Sequence, residues 1–155
     1  MIREATRTDP LGDLMADFLA ENEKQGSLLA AGPNSLAMYL RLATEYMTGG
    51  LKGMVLVAEV DGEVVGFTMW GDTASHFDCS VEDPIGDWGS YVVPSHRGEG
   101  LMREMREVIE AAAREMGFKN VTGGVAVGNP LYDVMEHYRG AHTREVAVVL
   151  PLGDK

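Results

Sequence analysis

Tyr91-Val92-Val93-Pro94-Ser95-His96-Arg97-Gly98-Glu99-Gly100-Leu101-Met102 joins an apolar strand to an amphipathic helix through a turn of arginine and glycine. Pro94 lacks an amide hydrogen and ends the strand. Downstream, Leu101, Met105, Val108, Ile109, Ala112 and Met116 recur on one helical face, and Gly117 marks the stop. The N–H groups in the first turn of such a helix have no partner within it and lie at the positive end of its dipole. Gly98 and Gly100 clear the approach, so the turn reads as an anion site. Arg97 adds a forked, permanently charged donor that suits a diphosphate. A plain turn with a solvated arginine has the same spacing.

Working outward, the strand before this turn runs from about Asp87 to Val93. Before it, Met54–Val60 and Val64–Trp70 are β-rich runs around Asp61-Gly62, a pair suited to the positive φ angles of a tight hairpin. Gly71–Gly86 is polar and unpatterned, a long connection. Further back stand a short edge strand over Ile2–Thr6 and two helices. The first is capped by Thr8 or Asp9 with Pro10 at its first position; the second presents Leu36, Leu40, Ala43 and Met47. After Gly117, Val121–Val127 reads as a strand, Asn129-Pro130 opens a short helix to about Tyr138, and Arg144–Leu150 is a last strand. The order predicts an α/β fold of the α+β kind, with a central mixed sheet covered by helices on both faces. The helix from Gly100 is the expected crossover between two parallel neighbours.

The 155 residues fit one domain, 1–155, with enough chain to bury a core. Twenty-four acidic residues against 13 basic ones give a net charge of −11, a field that repels nucleic acid and anionic lipid and attracts cations. The single cysteine, Cys79, excludes an internal disulfide, and no apolar run approaches the roughly 20 residues of a membrane span. A cytoplasmic protein without a membrane partner is expected.

The turn resembles the pyrophosphate loop of the GNAT family of N-acetyltransferases. That loop reads Arg or Gln, two residues, Gly, one residue, then Gly or Ala; Arg97 and Gly100 fill the first two fixed positions. Val92-Val93-Pro94 before it and the Asp61-Gly62 hairpin also sit where the family has them. The tight match covers Trp88–Gly117. Met102 departs from the pattern, since the family has a small residue there.

The resemblance implies acetyl-coenzyme A as co-substrate, its diphosphate held by Arg97, Gly98, Glu99, Gly100, Leu101 and Met102. The pantetheine arm would insert between parallel strands ending near Val93 and Val127, with Asn129 contacting it. An amide near Val92 or Val93 would polarise the thioester carbonyl. Direct attack by a primary amine of a small molecule or protein, in a ternary complex, needs a base and an acid. The resemblance implies Tyr138 as the acid, with Tyr132 as rival, because Arg139-Gly140-Ala141-His142 alters the family's tail. It offers Asp87 as the base; an aspartate between Gly86 and Trp88 also suits a turn cap. A catalytically inactive module that binds a coenzyme A derivative or a protein is the second reading.

Other features carry less. Asp78, Glu82, Asp83 and Glu99 are loop carboxylates suited to a cationic acceptor or to solvent. His76, Asp78 and Cys79 offer metal-ligand chemistry without a zinc-site spacing, and His137 and His142 lack the His-Glu-x-x-His arrangement, so no metal is expected. Trp70, Trp88 and Tyr91 suit either an acceptor pocket or the core. A homodimer through the terminal strands is a further expectation.

Overall fold

In the computed structural model, which describes residues 1–25, 32–72 and 83–122, Asp61 and Gly62 take φ angles of 52° and 84° and close the expected hairpin. The strands it joins are β2 (Gly53–Val60) and β3 (Glu63–Gly71), which follow β1 (Ile2–Glu4), α1 (Leu11–Lys24) and α2 (Ser35–Met47). Then come β4 (Pro84–Val92), a 3-10 turn at Pro94–His96, α3 (Leu101–Glu115) and β5 (Asn120–Thr122). Met1–Gly123 forms one compact unit that holds every described residue; 124–155 forms a second, outside the described residues. The expected helix to Tyr138 and strand Arg144–Leu150 fall there.

The described strands make one mixed sheet in the order β1-β2-β3-β4-β5. The first three pairings are antiparallel, and β4 runs parallel to β5 with Ile85 opposite Val121. α3 is the crossover between these two, as the sequence predicts. Side chains alternate across each strand, so the sheet has two apolar faces. Val55, Val57, Phe67, Met69 and Tyr91 pack with Leu14, Met15, Tyr39 and Ala43 of α1 and α2. Met54, Leu56, Trp70 and Ile85 pack with Ile109 and Ala113 of α3, and Ala58, Val65 and Val92 with Leu101 and Met105. Fully burying each of these large aliphatic side chains contributes about 1.5–3 kcal/mol.

The structure corrects several local expectations. Pro10 is the N-cap of α1 rather than its first residue, and no side chain caps it. Asp9 instead accepts hydrogen bonds from the Thr6 amide and hydroxyl and from Arg3. The buried centre of α2 is Tyr39, Ala43 and Tyr46; Leu36, Leu40 and Met47 flank it. Val108 lies outside the buried face of α3, which follows Leu101, Met105, Ile109 and Ala113. Pro84–Gly86, expected as connection, belongs to β4, because parallel pairing to β5 and complete burial of Ile85 outweigh a proline and a glycine.

Candidate active site

The turn after β4 is built by its own backbone. The Val93 amide donates to Val65 O at 2.9 Å, and the His96 amide closes onto Val93 O at 3.0 Å. Of the two amides expected near the thioester, Val93 is therefore committed to β3. The antiparallel register that pairs Gly66 with Val92 turns the Val92 N–H away from β3, towards the β5 side. Gly98 and Gly100 follow with φ of 86° and 89°, and Gly100 is the left-handed N-cap of α3. A side chain at Gly98 would meet nothing within 4 Å, so the backbone angle rather than space calls for glycine there.

The Arg103 and Glu104 amides turn back onto Gly100 O at 3.0 and 3.1 Å. Arg97 and Gly98 form a type II turn that points the Glu99 amide back at His96 O, while among the described residues no acceptor meets the amides of Gly98, Gly100, Leu101 or Met102. These four amides lie at the positive end of a 15-residue helix, an arrangement of donors that suits an anion. Met102 is half-buried and packs against the cluster of Ala58, Val65, Val92, Leu101 and Met105.

Arg97 is placed differently from the forked phosphate donor that the sequence suggests. Its Nε donates to Val92 O at 2.9 Å, its two terminal nitrogens hold Glu21 at 3.0 and 2.6 Å, and its guanidinium lies 5.5 Å from the Tyr91 ring centre. The Glu21 carboxylate raises the Arg97 pKa above its ordinary value. Arg97 thus ties the loop to the last turns of α1. Glu99 turns towards the His96 ring at 3.2 Å.

Between β3 and β4 the register slips, with Met69 opposite Gly89 but Trp70 opposite Asp87, which makes Trp88 the extra residue of a bulge. Asp87 and Ser90, three apart, would face opposite sides of a regular strand; the bulge brings both to the α3 face. Asp87 Oδ1 accepts the Gly89 amide at 2.7 Å, the turn cap its neighbours suggested, and Ser90 Oγ lies 3.4 and 3.5 Å from the two carboxylate oxygens. Burial pushes the Asp87 carboxyl up to about 7, against the Gly89 and Ser90 hydrogen bonds and the Arg106 charge, which lower it. On the other face Tyr39 donates to Trp88 O at 2.8 Å, and Trp88 Nε1 donates to the Tyr46 hydroxyl at 2.9 Å. Burial, with Asp87 adding to it, pushes Tyr39 up to about 12.

Trp70 and Tyr91 are core residues on opposite faces, and Trp88 is half-buried against the α1–α2 cluster. Asp83 is exposed and lies 3.6 Å from Lys119. Tyr138, Tyr132, Asn129, His137, His142, His76, Asp78, Cys79 and Glu82 lie outside the described residues. Among the described residues, no cluster of His, Cys, Asp and Glu is arranged to hold a metal, and no helix is long and apolar enough to cross a membrane. Glu21, Thr68, Ser90, Tyr39 and Tyr46 were missed by sequence reading. Thr68 and Ser90 were the legible ones, hydroxyls within apolar strands; nothing in the sequence links Glu21 to Arg97.

No curated protein matches the chain. Solved structures do. The aminoglycoside N-acetyltransferase AAC(6')-Iy, in complex with the bisubstrate analogue CoA-S-monomethyl-acetylneamine, is 15% identical over 97% of this chain and 96% of its own, with a TM-score of 0.71. AAC(6')-IG of Acinetobacter haemolyticus, an aminoglycoside antibiotic 6'-N-acetyltransferase, is 17% identical over 100% and 99%, TM-score 0.65. The ribosomal-protein-alanine N-acetyltransferase of Brucella melitensis is 23% identical over 90% and 83%, TM-score 0.69. These identities establish a shared fold. Residues 20–139, which include the strand, these amides and α3, match the model of the acetyltransferase (GNAT) family, and the chain belongs to that family.

Proposed function

We propose that this acetyltransferase uses acetyl-coenzyme A and passes its acetyl group directly to a primary amine of a small molecule or protein. The observation that carries the reading is the set of unpartnered amides of Gly98, Gly100, Leu101 and Met102, built around two left-handed glycines. It suits a diphosphate, and the half-buried Met102 side chain packs against the cluster that holds Val92, Leu101 and Met105. AAC(6')-Iy, which shares the fold, has been solved with coenzyme A and with a coenzyme A bisubstrate analogue.

On this reading the acetyl thioester lies along the β5 side of β4, where the Val92 N–H stabilises the developing oxyanion, an effect worth about 3 kcal/mol per donor. Asp87 takes a proton from the substrate ammonium, and the freed amine attacks the carbonyl carbon. The C–S bond breaks as the amide forms, Tyr138 protonates the departing thiolate, the nitrogen's second proton returns through solvent to Tyr138, and Asp87 releases its proton to solvent. Asn129 holds the pantetheine arm. The charge of −11 favours a cationic acceptor.

Thermal unfolding with and without acetyl-coenzyme A tests this site: at 100 times the dissociation constant the ligand adds about 2.7 kcal/mol. Absence of any shift at millimolar ligand sinks the assignment. Thiol release across an amine panel tests the chemistry, with Tyr138→Phe expected to slow turnover and to leave coenzyme binding nearly intact.

A further inference from the structure

A one-way hydrogen-bond chain crosses from β3 to β4 on the α3 face. Trp70 Nε1 lies 2.6 Å from Thr68 Oγ1, and Thr68 Oγ1 lies 2.6 Å from Ser90 Oγ. Ser90 Oγ in turn lies 3.4 and 3.5 Å from the Asp87 oxygens. An indole N–H only donates and a carboxylate only accepts, so the polarity runs from Trp70 through Thr68 and Ser90 to Asp87. Thr68 is 1% exposed, the one buried polar residue among the described core positions. A protonated Asp87 that donated back to Ser90 would reverse the chain and leave the Thr68 hydroxyl hydrogen without an acceptor in it. The ionised carboxylate, which accepts with either oxygen, keeps the chain intact.

We infer that Ser90 is a positioning residue for proton removal, holding the Asp87 carboxylate on a scaffold that runs back through Thr68 to Trp70. This rests on the reading of Asp87 as the base. Oδ1 is occupied by the Gly89 amide at 2.7 Å, which leaves Oδ2 as the oxygen without a short donor among the described residues. The Ser90 contacts are long, as catalytic hydrogen bonds often are before substrate binds.

The charged and titratable groups that bear on the carboxyl are Arg106 of α3, itself paired to Glu110 at 3.0 Å, and Tyr39 of α2. Neither changes in the variants below. The direct test is a titration of carbon-13-labelled aspartate carboxyls by NMR on the full chain, with Asp87→Asn to assign the resonance. Wild-type Asp87 is expected to titrate near 7, raised by burial. Ser90→Ala removes a donor to the charged form and moves the midpoint up by as much as about one unit. Thr68→Val moves it the same way by less, and keeps the test open if Ser90→Ala does not fold. Ser90→Thr, which retains the hydroxyl, restores the wild-type value.

An unmoved midpoint in Ser90→Ala and Thr68→Val overturns the inference, as does an equal shift in Ser90→Thr. Thiol release from acetyl-coenzyme A with the amine panel supplies the second readout. The acid limb of kcat/KM is expected to follow the NMR midpoint, with the KM for acetyl-coenzyme A unchanged. A moved midpoint with an unmoved limb overturns the role in proton removal. A wild-type protein that transfers nothing overturns the base reading, while the titration still decides the Ser90 contact on its own.

Discussion

Arg97 grips Glu21 with both terminal nitrogens of its guanidinium, at 3.0 and 2.6 Å, across 76 positions of sequence. The pair is 44% and 34% exposed, so its net worth to stability is small, about 0–1 kcal/mol. Its weight lies elsewhere: it sets a carboxylate beside a loop read as a diphosphate site. Glu21→Gln removes that charge and is expected to tighten coenzyme A binding about twofold at low salt, an advantage that fades as salt screens it. Titration calorimetry at two ionic strengths measures it. Weaker binding in the variant would mean that the pair shapes the loop.

Gly98 offers a cleaner probe of the backbone, because a β-carbon there meets no neighbour while φ is 86°. Gly98→Ala is expected to cost about 1 kcal/mol from the left-handed angle alone and to weaken coenzyme A binding as the amides lose alignment. Asn tolerates this conformation better, so Gly98→Asn should recover part of both losses in urea unfolding and calorimetry. Identical losses in the two variants would refute the conformational explanation.

Gly53 and Gly71 face each other across β2 and β3, and a β-carbon at either would run into the Tyr46 ring. The two glycines make the slot in which Tyr46 lies and from which it accepts the Trp88 indole N–H. Gly71→Ala is expected to destabilise by about 1–3 kcal/mol through overpacking, and Tyr46→Phe by about 1 kcal/mol through the indole left without that acceptor. Denaturant melts of the two single variants and the double would show strong non-additivity, since both act on one slot; simple addition would contradict the geometry.

Two carboxylates should leave opposite signatures in stability against pH. The hydrogen bond from Arg3 holds Asp9, 7% exposed, well below the usual carboxylate range. Its contribution is present above about pH 4 and lost as pH falls below that. Wild type should therefore exceed Asp9→Asn at pH 7, by about 1–3 kcal/mol, with the gap closing in acid. Asp87 is raised, mainly by burial, so its favourable contribution is present below the usual carboxylate range and lost as pH rises through about 7. Asp87→Asn should gain on wild type between pH 5 and pH 8. Thermal melts from about pH 2 to pH 8 decide both, and a gap that stays constant with pH rules out the assigned cause.

Sequence alone made much of the fold legible where a local rule is strong. The Asp61-Gly62 turn, the α3 stripe and the Gly98–Gly100 entry each follow from φ preference or from a 3.6-residue period that acts within a few positions. Legibility failed where distant partners decide. Asp9 looks like a helix cap, yet Arg3 and Thr6 claim its carboxylate. Pro84-Ile85-Gly86 looks like loop until β5 pairs with it and buries Ile85. The Trp88 bulge has no mark in the sequence, although it puts Asp87 and Ser90 on one face.

By itself, then, the chain determined a mixed sheet crossed by a helix with a left-handed glycine entry, because backbone angle and apolar period are properties of neighbouring residues. Only the tertiary structure decided that Arg97 is tied to Glu21, that Val93 is committed to Val65, that Met102 is half-buried against the cluster of Leu101 and Met105, and that Asp87 ends a chain begun at Trp70. Those are matters of which charges and hydrogen-bonding groups meet across the sheet, and strand register, not spacing along the sequence, sets that.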